Sequence, residues 1–122
     1  MDEKLKPLKE ALINYKVEIL IGASGSFDTI ADMSENVPIK VGFVKLNLQD
    51  FEVLKQSLIT KNLNQRLNKE GLNIQRADMI IVALLIVDYI VKNVQIKTMH
   101  KSDFALKEGV IWAYLNKPEY LQ

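Results

Sequence analysis

Apolar positions recur along the chain with two spacings, and each change of spacing marks a boundary. Leu5, Leu8 and Leu12 fall three or four apart between Lys4 and Asn14, with Ile13 beside the last, which predicts a helix with one apolar stripe. Pro7 lies in its first turn, where a missing N–H costs little. Val17–Ile21 is short, β-branched and largely apolar, the signature of a strand. A turn, Gly22–Gly25, follows, and Ser26 is placed to cap a helix from Phe27 to about Ser34, with Asp28 complementing the dipole. Pro38 argues against helix in the next stretch, and IKVGFVKLNL alternates as an extended segment does. From Leu48 the spacing Leu48, Phe51, Leu54, Leu58 predicts a helix. It continues through Leu63 and Leu67 after a break near Thr60 and ends at Gly71. Leu72–Gln75 is a connector.

Arg76 to Lys92 forms the most apolar segment, with Met79–Val87 unbroken. Asp78 and Asp88 bound it, and its apolar length falls short of the roughly 20 residues a bilayer requires. A short helix apolar all round is a buried central helix, so no membrane role is expected. Val94–Met99 is a second strand. Ser102 or Asp103 then caps a last helix through Leu115, with Leu106, Val110 and Ala113 inward, and Pro118 closes it.

Strands separated by helices run parallel, so the fold class is α/β, helix-rich, with two short parallel strands. Two strands make a poor sheet. Both are apolar and call for neighbours on each side, so the chain reads as part of a larger sheet. Exposed sheet edge and helix faces seek partners, which predicts self-association as a two-fold homodimer.

The 122 residues allow one domain at most. A net charge of +1 provides no general attraction to nucleic acid or anionic membrane, and none is expected as a partner. The absence of cysteine excludes disulfides and thiolate metal sites, and a single histidine, His100, excludes a site built from several imidazoles. MDEKLKPLKE carries no apolar leader core, and a cytoplasmic location is the expectation.

The chemistry on offer is at the turn. VEILIGASGSFDTIADM delivers a strand to a helix N-terminus, where unpaired N–H groups and the positive dipole end meet an anion. Gly22, Ser24 and Gly25 have two readings there: backbone and hydroxyl contact with a phosphate or nucleotide, or glycines that merely permit a tight turn. A serine hydrolase does not fit, because Gly22-Ala23-Ser24-Gly25 brings the second glycine one residue too early for a nucleophile elbow. Nothing places His100 beside Ser24, and a strand end with a backbone or water partner is its expected position.

GASGSFDTIADM, RADMIIVALLIVDYIV and SDFALKEGVIWAYL, in that order, resemble the exopolyphosphatase/guanosine pentaphosphate phosphatase (Ppx/GppA) family. Those enzymes belong to the actin-like, ribonuclease H-like superfamily that includes sugar kinases and heat-shock chaperones. The resemblance implies a fragment: the second half of the family's second lobe, from the helix before its fourth strand. The family's Asp-Gly-Ser-Asn loop, its catalytic glutamate and its Asp-Ile-Gly-Gly-Gly-Ser loop have no counterpart here, so no catalytic residue is assigned.

What the resemblance implies for function is removal of the terminal phosphoryl group of inorganic polyphosphate or guanosine pentaphosphate by water, with Mg2+ neutralising the phosphates. This chain alone is expected to be inactive and to hold no metal with its own side chains. The phosphate- or nucleotide-binding positions carried over are Gly22, Ser24, Gly25 and Arg76. Arg76 stands in QRAD where the family shows Glu-Arg-Ala-Asp. Its fork suits a phosphate or base, and pairing with Asp78 or a nearby carboxylate is the plain alternative. Lys107, Glu108 and Gly109 match the family's Leu-Arg-Glu-Gly, but lysine loses bidentate geometry, and helix packing against the second strand is the expected role. A different class stays open: a non-enzymatic interaction domain, or one that senses polyphosphate or nucleotides.

Overall fold

The computed structural model describes residues 3–62, 64, 65, 77 and 79–116. Among them the order is α1 (Lys6–Asn14), β1 (Ile19–Ala23), α2 (Gly25–Asp32), β2 (Asn36–Lys40), β3 (Phe43–Leu46), α3 (Leu48–Ile59), α4 (Ile80–Val94), β4 (Thr98–Ser102) and α5 (Leu106–Asn116). The strands form one sheet in the order β1-β4-β3-β2. β1 and β4 are the expected parallel pair, with Ile21 opposite His100 and Gly22 opposite Lys101.

Two further strands join them. The alternating segment folds back on itself as an antiparallel β2–β3 hairpin, and β3 pairs antiparallel with β4. Its turn is Val41-Gly42, with Gly42 at φ +73°, where an L-residue is strained. Val-Gly is a weak hairpin signal beside Asn-Gly or Asp-Gly, which is why the pattern alone shows one extended segment.

Three helices cover one face of the sheet. Ile30, Leu46, Phe51, Leu58, Leu84 and Met99 are fully buried there, joining α2, α3 and α4 to β3 and β4. Each such side chain contributes about 1.5–3 kcal/mol. Asn47 caps α3, its Oδ1 accepting from the N–H groups of Gln49 (2.8 Å) and Asp50 (3.4 Å).

α4 corrects its expected character. It buries Ile80, Leu84 and Val87 but exposes Met79, Val82, Leu85 and Ile86, so it is not buried all round. Among the described residues the side it buries packs against α2 and α3 in the common core. Val94 ends α4, Gln95 turns left-handed at φ 60°, and β4 starts at Thr98. No helix of the described residues is long and apolar enough to cross a membrane. The expected continuation through Leu63 and Leu67 to Gly71, and the connector Leu72–Gln75, lie outside the described residues.

The last helix also differs. Neither Ser102 nor Asp103 caps α5. Instead Glu108 reaches back, its carboxylate accepting from the Ala105 N–H at 2.8 Å, half of a capping box. That backbone bond, together with Lys107, holds the Glu108 carboxyl below its ordinary range. α5 buries nothing: Leu106, Val110, Ile111 and Trp112 are exposed, and a Cβ on Gly109 would meet open space. Packing of this segment against the second strand is therefore not what the fold shows.

Candidate functional site

The strand–turn–helix sits between β1 and α2, and the structure separates its three small residues. Gly22 is buried beneath Phe27, and a Cβ there would lie 2.1 Å from the Cγ of that ring. Its need for glycine is a close approach to the Phe27 ring.

Ser24, not Ser26, is the N-cap of α2. Its carbonyl accepts from the N–H groups of Phe27 (2.9 Å) and Asp28 (3.1 Å), while its hydroxyl makes no capping bond. Its backbone lies at φ 69°, ψ −174°, a region almost reserved for glycine and costing on the order of 1–3 kcal/mol. Ser24→Gly is accordingly expected to raise unfolding stability by about 1 kcal/mol, read from urea denaturation; an unchanged or lowered midpoint would refute the strain. Gly25 opens α2, and its carbonyl accepts from the Thr29 hydroxyl at 3.0 Å.

A side chain absent from the sequence reading completes this end of the sheet. Lys101 of β4 lies beside Gly22 and is 17% exposed, with its Nζ 3.3 Å from Asp28 in the first turn of α2 and paired also with Asp103. The bond to Asp103 first, and Asp28 with it, raises the Lys101 pKa against the effect of burial. The alternation of β4 is the signal that could have found it. Met99 and Lys101 share the helix-covered face, where a lysine needs a carboxylate.

His100 is on the opposite face, in the middle of β4 rather than at a strand end. It stacks on Phe43 with ring centroids 5.1 Å apart, and its Nδ1 is buried without a hydrogen-bond partner. No bond links it to Ser24, so the geometry supports no serine hydrolase. Arg76 and Asp78 lie outside the described residues, and the structure neither joins them to the turn nor separates them from it.

Beside the turn runs a groove of about 470 Å³ between β1, α2 and α4, lined by Leu20, Ser24, Phe27, Ala83, Ile86 and Ile90 among others. It is mostly apolar, with Ser24, Gly25 and Ser26 as its polar lining. A family model described as the Ppx/GppA phosphatase family matches residues 1–118. The chain belongs to that family. An exopolyphosphatase from Cytophaga hutchinsonii ATCC 33406 superposes with a TM-score of 0.83 at 34% identity, covering 95% of this chain and 39% of that one. The Aquifex aeolicus Ppx/GppA family member gives 0.71 at 20% identity, over 96% of this chain and 42% of that one. The type II variant of the Aquifex aeolicus Ppx/GppA phosphatase gives 0.66 at 16% identity, over 91% and 41%. The chain thus spans about two-fifths of the length of these solved relatives, and the latter two show the shared fold.

Membership in the Ppx/GppA family puts the magnesium expectation to a chemical test. Among the described residues no three of His, Cys, Asp and Glu gather where a metal ion would be held. The acidic group nearest the turn, Asp28, already faces Lys101.

Proposed function

We propose that this chain forms one wall of a phosphatase cleft that removes the terminal phosphoryl group from inorganic polyphosphate or guanosine pentaphosphate. The carrying observation is that the Gly22–Gly25 turn ends at the N-terminus of α2 in a chain of the Ppx/GppA family. A helix N-terminus directs backbone N–H groups and the positive dipole end at an anion, and phosphoryl transfer depends on such positioning and charge stabilisation. Ser24 and Gly25 would meet phosphate oxygens directly, Gly22 would shape the turn, and Arg76 would clamp a phosphate or base with its fork. Mg2+ supplies charge neutralisation in this reading and is held by polypeptide other than the residues described. Turnover needs the opposite wall, so the chain alone binds without hydrolysing, in the cytoplasm.

Calorimetric titration with guanosine tetraphosphate and, separately, a short linear polyphosphate tests this, with Mg2+ present. The expected result is binding to one or both that Arg76→Ala weakens by about tenfold, the loss of one charge-assisted contact of about 1.4 kcal/mol. Which ligand binds more tightly assigns the substrate class. Binding unaffected by Arg76→Ala would remove Arg76 from the site. Unchanged kinetics in a full-length family enzyme carrying the same change would likewise remove Arg76 from the site, and phosphate release by the purified chain would overturn the alternative of ligand sensing without any enzyme.

A further inference from the structure

Three segments of the chain converge on one mostly buried cation. Lys101 is in β4, and its register partner in β1 is Gly22, at the start of the turn. Its Nζ lies 3.3 Å from the Asp28 carboxylate of α2 and is bonded also to Asp103. Asp103 is itself fixed by the hairpin, its N–H donating to the Gly42 carbonyl at 2.8 Å. These bonds, Asp103 first, keep Lys101 an ammonium although burial opposes the charge.

Asp28 is badly placed for a turn that receives anions. It follows the Ser24 cap by four residues, about 6 Å of helix rise. A helical Cα–Cβ bond tilts toward the N-terminus, so the carboxylate occupies the favourable dipole end that a phosphate would use. Two anions roughly 6 Å apart lie inside the Debye length of about 8 Å in physiological salt, so dissolved ions do not screen one from the other. A fixed cation does cancel Asp28, and among the described residues Lys101 is the one paired with it.

We infer that Lys101 is a positioning residue for phosphate binding, which neutralises Asp28 and so keeps the Gly22–Gly25 turn receptive to an anionic phosphate chain. The inference rests on the reading of that turn as a phosphate wall. Lys101 acts through Asp28 and needs no contact with the phosphate. A lysine that merely tied β4 to α2 would behave differently. In a tie, Lys101 and Asp28 support the same state, so removing either one loosens the turn. In a shield, Asp28 opposes the phosphate and Lys101 opposes Asp28, so the two removals act with opposite signs.

Calorimetric titration of the full chain with inorganic tripolyphosphate reads those signs, with urea denaturation beside it to separate loss of fold from loss of binding. Asp28→Asn is expected to bind about threefold more tightly than wild type, and Lys101→Met about tenfold more weakly. Lys101→Arg, which keeps the charge, stays within about twofold of wild type. Lys101→Met combined with Asp28→Asn recovers to within about threefold of wild type, although the ion pair a tie requires is gone. Should Lys101→Met lose structure, Asp28→Asn alone carries the sign. Asp28→Asn that weakens binding or leaves it unchanged overturns the inference, as does a double variant as weak as Lys101→Met. In both cases the phosphate reading of the turn survives. Tripolyphosphate that binds none of these proteins overturns that reading and the inference with it.

Discussion

Asp88→Ala is expected to lower unfolding stability by about 3 kcal/mol, the scale for stripping a partner from a buried charge. Lys55 of α3 is only 3% exposed, yet it carries an ammonium 2.8 Å from Asp88 of α4 and 2.6 Å from Glu52. Burial alone would push the Lys55 pKa down, but the bonds from Asp88 and Glu52 outweigh it and raise it. Burial likewise would raise Asp88, and Lys55 with Lys92 instead hold it below its ordinary range. Removing Asp88 leaves Lys55 with Glu52, which is 43% exposed and a weaker partner for that reason. Lys55→Met should do less harm, because Asp88 is 17% exposed and keeps Lys92 at 3.0 Å.

The double variant Lys55→Met with Asp88→Leu is expected near wild-type stability, because an apolar replacement carries no desolvation penalty. Urea denaturation of Lys55→Met, Asp88→Leu and the double variant closes a double-mutant cycle that measures the coupling. Additive losses would mean the pair is not coupled. The pH dependence has a fixed sign. Asp88, depressed when folded, contributes above its unfolded pKa of about 3.9, and that contribution fades as pH falls through the folded value. Lys55, raised when folded, contributes below about 10.4, and its contribution fades as pH rises through its folded value. The double variant should therefore show a flatter stability profile at both ends.

Gly22→Ala is expected to cost about 3 kcal/mol, the upper part of the usual overpacking range. The new Cβ would lie 2.1 Å from Cγ and 2.2 Å from both Cδ atoms of Phe27, the root of the ring and not a flexible tip, so the whole side chain must move. Phe27 is the third residue of α2, and its N–H bonds to the Ser24 carbonyl, so that movement reaches the turn itself. Thermal unfolding of Gly22→Ala, Phe27→Ala and the pair gives the check. The double variant should be less destabilised than the two losses added, because the clash disappears with the ring. Strict additivity would show that the backbone, not Phe27, demands glycine here. In calorimetry Gly22→Ala should also weaken any phosphate binding, whereas Phe27→Ala, which leaves the turn free, should weaken it less.

Much of the architecture was legible because it rests on local rules. The first strand, expected at Val17–Ile21, lies two residues later at Ile19–Ala23, so that Gly22 and Ala23 belong to it and not to the turn. That strand and the α3 start behind Asn47 each follow from residue types a few positions apart. So does the parallel β1–β4 pair, because a helix between two strands forces that sense. The family resemblance was legible for a related reason: three motifs in order survive without knowledge of their contacts. The sequence by itself called for neighbours to its two strands but placed them outside the chain, whereas the β2–β3 hairpin supplies two from within it.

What only the tertiary structure decided depends on residues distant in sequence. The hairpin formed because β3 could pair with β4 some fifty residues away, which no turn signal at Val41-Gly42 announces. Apolar composition made α4 look buried all round, but a helix is buried only where something covers it, and among the described residues that is the side facing α2 and α3. The Lys55–Asp88 pair and the Lys101–Asp28 pair join elements that periodicity treats as separate, so no local pattern announces either. Gly22 is the sharpest case. Sequence left a phosphate role and a turn role both open, and only the structure shows the Phe27 ring 2.1 Å from where a Cβ would stand, a packing demand that accompanies either role.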